Sequence, residues 1–213
     1  MGHRHVMIII GIILSYLIGS IPTAYIFGKT LKGIDIREHG SGNVGATNVF
    51  RVLGKKPGTV VLLLDILKGI IAVVIVSDLL GLTEVIHRVI LAAVVVCGHN
   101  WTVFLKFKGG KGIATSLGVL IGLTVKIAVI RPVLIWVVLI WLVCFFTTRI
   151  ISVSSILAAT CLPVIMVLTN QEFTIICLGI IFCIFVALRH RANIRRLFAG
   201  QEPRVPLFSK KKG

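Results

Sequence analysis

Acidic side chains are scarce in this chain: 7 Asp and Glu stand against 23 Lys and Arg in 213 residues, a formal net charge of +16. Charged residues of both signs amount to only 14%, while 57% are hydrophobic and the mean hydropathy is +1.05. So little charge cannot solvate a water-soluble domain of this length, which excludes that class and any charge-rich disordered one. Cysteine pairing is missing too, since Cys97, Cys144, Cys161, Cys177 and Cys183 lie in apolar runs with no CxxC. None has a His or acidic neighbour at ligand spacing, so they read as small buried hydrophobes and no metal is expected. Also absent are a His with Asp five residues on, a G-x-S-x-G elbow and a Cys–His dyad. Acyl transfer by the His/Asp or serine-hydrolase route is thereby excluded.

Long apolar runs are plentiful instead. Stretches near the 17 to 25 residues a bilayer requires predict an all-α, polytopic membrane protein of about seven spans, at 6–27, 59–80, 85–105, 113–130, 132–147, 151–168 and 173–188. The fourth and fifth are the weakest, because Lys126, Arg131 and Pro132 leave only a short connection between two barely sufficient helices. The first exceeds a signal-peptide core and is followed by no small-residue cleavage pattern, so it is expected to be retained. Lys29, Lys32, Arg37, Arg51, Lys55, Lys56, Lys106, Lys108, Lys111, Arg149 and every basic residue from Arg189 onward fall on one side of this topology. Only Arg4, Arg88, Lys126 and Arg131 fall on the other, so the positive-inside rule predicts an N-terminus outside and a C-terminus in the cytoplasm. Residues 1–213 then form one transmembrane domain whose loops 36–56, 98–112 and 189–202 face the same compartment.

Those three segments carry the polar chemistry. Gly40-Ser41-Gly42-Asn43-Val44-Gly45 satisfies G-x-G-x-x-G, and Asp65 lies 20 residues past Gly45. A dinucleotide fingerprint needs a buried strand before the first glycine, whereas residues 33–39 are largely polar and the run around Asp65 is of spanning length. What remains is local physics: backbone N–H groups exposed by glycines, neutral donors on Ser41 and Asn43, a short helix from Ala46 through Thr47 and Asn48, and the planar fork of Arg51. The bland alternative is a glycine-rich turn with an Arg against lipid headgroups. Lys106-Phe107-Lys108-Gly109-Gly110-Lys111-Gly112 departs from Walker A, with Leu105 where its first glycine belongs and Gly112 where Ser or Thr is required. ATP is not indicated. The loop still leads into a helix from Ile113 through Thr115, so the amides of Gly109, Gly110 and Gly112 and the charge of Lys111 suit a phosphate. His99 and Asn100 precede it, beside Trp101, which alone reads as a membrane anchor. In the tail His190 and Asn193 share a helical face among Arg189, Arg191, Arg195 and Arg196, where a solvated His is the plain reading. Asp65 and Lys68, one helical turn apart at membrane depth, read as an internal ion pair steadying the site, with a proton or ion relay as the rival.

In this order, the segments resemble the bacterial acyl-phosphate:glycerol-3-phosphate acyltransferase family (PlsY type). The matches are Gly40 to Arg51, Leu64-Asp65 with Lys68-Gly69, Gly98-His99-Asn100 with Lys108 to Gly112, and His190 to Leu197 with Gly200 and Glu202. The resemblance runs from about Gly19 to Glu202 and leaves the terminal residues 209–213 unassigned.

That resemblance implies an enzyme of the bacterial cytoplasmic membrane that moves a fatty acyl group from acyl phosphate to the 1-hydroxyl of glycerol 3-phosphate, giving lysophosphatidic acid and phosphate. It implies Ser41, Arg51, Lys111, His190 and Asn193 as catalytic residues. Gly40, Gly42, Asn43, Thr47, Asn48, Lys108, Gly109, Gly110, Gly112 and Thr115 would bind substrate, and Asp65, Lys68, His99, Asn100 and Glu202 would support them. No cofactor is required, because an acyl phosphate is already activated. Whether His190 or a phosphate oxygen of the donor takes the hydroxyl proton stays open. The two substrates and membrane lipids are the expected partners, with neither nucleic acid nor an obligate protein partner. A transporter for an anionic solute would share the basic loops and the Asp65–Lys68 pair, but its charges belong near the midplane and its halves repeat. A lipid-binding scaffold would explain the basic loops but not two glycine-rich ones.

Overall fold

The computed structural model describes residues 2–205, among which there is no strand; residues 209–213 lie outside them. Helix α1 (Gly2–Ser20) stops at Ile21-Pro22, and α2 (Thr23–Lys32) resumes beyond it, so the expected first span is a helix broken by proline. A short α3 (Ala46–Val52) leads to α4 (Lys55–Ile70), which continues through a π-turn (Ile71–Val76) into α5 (Ser77–Leu79). There follow α6 (Val85–Asn100), α7 (Ile113–Lys126), α8 (Arg131–Thr148), α9 (Ile151–Leu168), α10 (Phe173–Arg189) and α11 (Arg191–Phe198).

Five of the described helical segments are long and apolar enough to cross a membrane, or six if α10 and α11, bent by 62°, form one span. Helix α7 is the exception. It ends at Lys126 instead of running to Ile130, and its 14 residues reach only about 21 Å at 1.5 Å per residue, short of a hydrocarbon core of about 30 Å. Its shortness is offset by a firm seat. A Cβ on Gly118 would lie 1.9 Å from the Ile66 carbonyl oxygen, and one on Gly69 would lie 2.3 Å from that of Thr115, so α4 and α7 pack backbone to backbone, the small-residue contact that holds helices together in lipid.

The contacts sort the helix ends into two groups. At one end, Asp78 accepts from Arg88 at 2.6 Å and from Lys126 at 2.5 Å, Arg4 pairs with Glu84, and Gln171 Nε2 donates to the Val129 carbonyl. The Arg88 guanidinium also donates to the Val73 carbonyl at 2.7 Å, inside the π-turn, where backbone pairing is shifted by one residue. At the opposite end, Tyr16 donates to the Trp101 carbonyl, Thr102 to that of Ser20, and the Val205 amide to that of Arg149. Between the two ends Ala72, Val95, Val119, Leu123, Met166, Leu178 and Phe182 fill an apolar core. All three polar segments gather at the second end.

Candidate active site

The first wall begins with a one-turn helix (Ile36–Glu38) capped by Asp35, whose carboxylate accepts from the Arg37 backbone N–H at 3.0 Å. The Arg37 guanidinium grips the same carboxylate, its Nη2 at 2.6 Å, and lies 5.3 Å above the Tyr25 ring. Arg37 holds the Asp35 carboxyl down at about 2. Beyond the turn, Asn48 on α3 staples the loop to itself: its Oδ1 accepts from the Ser41 amide at 2.8 Å, and its Nδ2 donates to the His39 and Ile36 carbonyls at 2.9 and 3.1 Å. Asn48 is thereby spent on the loop, and Ser41, Gly42, Asn43 and Val44 are turned to the cavity.

The second wall is the loop from Lys106 to Gly112. Its glycines do something other than the sequence suggests. The Gly109 N–H donates to the Asn100 carbonyl and the Gly110 N–H to the His99 carbonyl, at 3.2 and 3.0 Å, so neither amide is free for a phosphate. These carbonyls belong to the last turn of α6, which must find donors outside its own helix. Only glycine permits so close a seat, since a Cβ on Gly110 would sit 2.2 Å from the His99 ring. No hydrogen bond holds the Lys111 or Gly112 amide among the described residues. Lys108 and Lys111 flank the glycine pair, and both line the cavity.

Helix α10 ends at Arg189, His190 forms the bend, and α11 leaves at 62°. The bend puts Asn193 between two partners: its Oδ1 accepts from the Lys111 ammonium, and its Nδ2 donates to Glu202 Oε1 at 2.5 Å. Glu202 also accepts from Ser152 and Arg196, both at 2.7 Å. Burial works against the Glu202 charge, but the hydrogen bonds from Asn193, Ser152 and Arg196 outweigh it and hold the carboxyl below its usual range. Burial also pushes the Lys111 ammonium down to about 8, with Glu202 opposing and the positive charges of Arg196, Arg189 and Arg51 adding to the fall.

Together these walls enclose a cavity of about 500 Å³. Beneath it Asp65, 1% exposed, accepts from Lys68 at 2.8 Å and from Thr23 at 2.7 Å, with the His99 ring 3.7 Å away, and Lys68 also reaches the Ile21 carbonyl at the α1 break. Several expected site residues fall outside the lining. Thr47 and Arg51 are exposed on α3, Gly40 is exposed away from the lining, and Gly110 and Gly112 are buried behind it. Thr115 and Asn100 are fully buried with unpaired side-chain atoms, and His190 is only 3% exposed, its Nδ1 2.9 Å from the Val186 carbonyl. In return the cavity recruits Asp35, Arg37, Glu38, Arg189 and Arg196. Arg37 reads from sequence as one more juxtamembrane charge; the acid two residues before it, at the start of a glycine-rich loop, is the signal that would have singled it out.

A cation-lined cavity closed by three polar segments at one end of a bundle of apolar helices has the charge and chemistry that suit anionic ligands, in a protein of the integral membrane class. The chain belongs to the glycerol-3-phosphate acyltransferase family, which it matches over residues 9–200. It is 42% identical over 193 residues to the glycerol-3-phosphate acyltransferase of Gloeobacter violaceus, covering 90% of this chain and 91% of that one. To glycerol-3-phosphate acyltransferase 2 of Moorella thermoacetica it is 43% identical over 199 residues, covering 93% and 98%. Its fold resembles the crystal structure of PlsY (YgiH), an integral membrane glycerol 3-phosphate acyltransferase, in the glycerol 3-phosphate form, with TM-score 0.84 and 37% identity over 93% of this chain and 96% of that one. The lysophosphatidic acid form gives TM-score 0.81 and 36% identity, covering 93% and 95%.

Proposed function

We propose that this protein transfers a fatty acyl group from acyl phosphate to the 1-hydroxyl of glycerol 3-phosphate at the cytoplasmic face of a bacterial inner membrane, releasing lysophosphatidic acid and inorganic phosphate. The observation that carries this reading, beyond family membership, is a single cavity lined by Arg37, Lys108, Lys111, Arg189 and Arg196 in a bundle of membrane-length apolar helices. Two phosphorylated substrates repel one another, and fixed cations hold them at reacting distance while balancing the charge that develops on the leaving phosphate. Lys111, steadied by Asn193, the Ser41 hydroxyl and the Asn43 side chain are the groups assigned to the phosphates, the Ser41 and Gly42 amides being held by Asn48 and the His39 carbonyl.

The reaction closes without a covalent enzyme intermediate. The glycerol hydroxyl oxygen bonds to the acyl carbonyl carbon, the bond from that carbon to the phosphate oxygen breaks with its electron pair passing to phosphate, and the hydroxyl proton leaves. His190 lies beneath the cavity rather than in its wall, which favours a phosphate oxygen of the donor as the proton acceptor. The acyl chain stays in the membrane, where each buried CH₂ contributes about 0.8 kcal/mol.

The test is direct. Purified protein in lipid, given long-chain acyl phosphate and glycerol 3-phosphate without ATP, should release phosphate and lysophosphatidate in equal amounts. Lys111→Ala should abolish turnover or raise KM for glycerol 3-phosphate while the protein stays folded. Turnover with acyl-CoA and none with acyl phosphate would replace the proposed donor.

A further inference from the structure

Arg189 makes contacts that the reaction scheme leaves unused. Its Nη2 donates to the Gly109 carbonyl at 2.7 Å and its Nε to the Gly110 carbonyl at 2.9 Å, across about 80 residues of chain. The guanidinium itself lies 5.9 Å over the Trp101 ring, and that ring meets Phe185, one turn back on α10, edge to face at 5.1 Å. The amides of the same two glycines are held by Asn100 and His99. All four backbone polar groups of Gly109-Gly110 are therefore fixed, two by the end of α6 and two by one side chain from α10. Lys108 and Lys111 stand immediately on either side.

We propose that Arg189 is a positioning residue: its fork locks the Gly109-Gly110 carbonyls and so sets the places of Lys108 and Lys111 in the cavity wall. The planar guanidinium is the group suited to this, because it offers two parallel N–H donors to neighbouring acceptors, whereas an ammonium is a single point charge. It also covers the two carbonyls with donors, sparing an anionic substrate their partial negative charge. Because Arg189 immediately precedes the His190 bend, the same contact ties the second polar loop to the third.

The inference rests on the acyltransferase reading, so wild-type protein must make lysophosphatidate in the same assay; silence there overturns that reading rather than the placement of Arg189. Given wild-type turnover, Arg189→Ala should lower kcat/KM for glycerol 3-phosphate about 100-fold, the loss expected of two charge-assisted hydrogen bonds. Millimolar methylguanidinium should restore at least part of it, and methylammonium none. Arg189→Lys keeps the charge and the helix, and should still lose about tenfold for want of the second contact. In a Lys111→Ala background the Arg189→Ala change should weaken glycerol 3-phosphate binding, read by calorimetry, less than about threefold further, because the ammonium it positions is gone. Three results would overturn the proposal: near wild-type activity in Arg189→Lys, full additivity with Lys111→Ala, or an Arg189→Ala defect that methylguanidinium leaves untouched.

Discussion

Lys111 is the residue whose chemistry responds most directly to its surroundings. Its ammonium is held at about 8 by burial and by the neighbouring arginines, so the free protein loses that charge as pH rises past about 8. A dianionic phosphate favours the charged form, and the substrate's own second ionisation is complete by about pH 7. KM for glycerol 3-phosphate should therefore rise about tenfold from pH 7 to pH 9, and binding in that range should take up protons, both measurable by kinetics and by calorimetry in buffers of different ionisation heat. A flat KM would mean that Lys111 does not meet the substrate phosphate. The buried pair below it makes a separate prediction. Asp65→Ala or Lys68→Ala each leaves one charge without its partner and should cost about 3–5 kcal/mol of stability, while Asp65→Leu with Lys68→Met should cost much less than the two singles together. Melting temperatures of the three variants in one detergent would decide it.

At the scale of elements, the close seat of α7 on α4 is the most exacting contact. Gly118→Leu would drive a side chain into the Ile66 carbonyl, so the helices must separate by several ångströms, and the expected result is loss of folded protein on size exclusion rather than a mild loss of activity. Element identity was legible in the sequence because apolar length is a strong signal, and so was the Asp65–Lys68 pair, because charge at membrane depth demands a partner. The helix breaks were less visible. Pro22 divides the first span within an apolar run, and Ile127 ends α7 short of the expected Ile130. The glycine loops were recognised from their composition, yet the fate of their amides was not. Whether Gly109 and Gly110 offer N–H groups to a ligand or to α6 depends on which carbonyls stand opposite, and His99 and Asn100 occupy that place only once α6 and the loop have packed. Arg37 and Arg189 escaped notice for the same reason: a charge beside a span looks like a topology signal until folding gives it Asp35 or two carbonyls as a partner.

Over the whole molecule, the polar asymmetry of the bundle gives its orientation a test. The end that carries the cavity also carries nearly all of the described basic residues, and the other holds Arg131 together with Arg4, Arg88 and Lys126, the last three paired with Asp78 or Glu84. In a cysteine-free background, a single cysteine at exposed Thr83 should react with a membrane-impermeant maleimide in intact cells, and one at exposed Gln201 only after lysis. The reverse pattern would turn the site to the outside.

One tether has a bearing on how the molecule comes into being. Glu202, near the last of the described residues, holds Asn193 and Arg196 and reaches back to Ser152 on α9. Every other wall of the cavity is made from chain synthesised earlier. Lys111 therefore waits for its Asn193 partner to be fixed until residue 202 has been made and released, so a nascent chain arrested short of that point would be threaded through the membrane and yet inert.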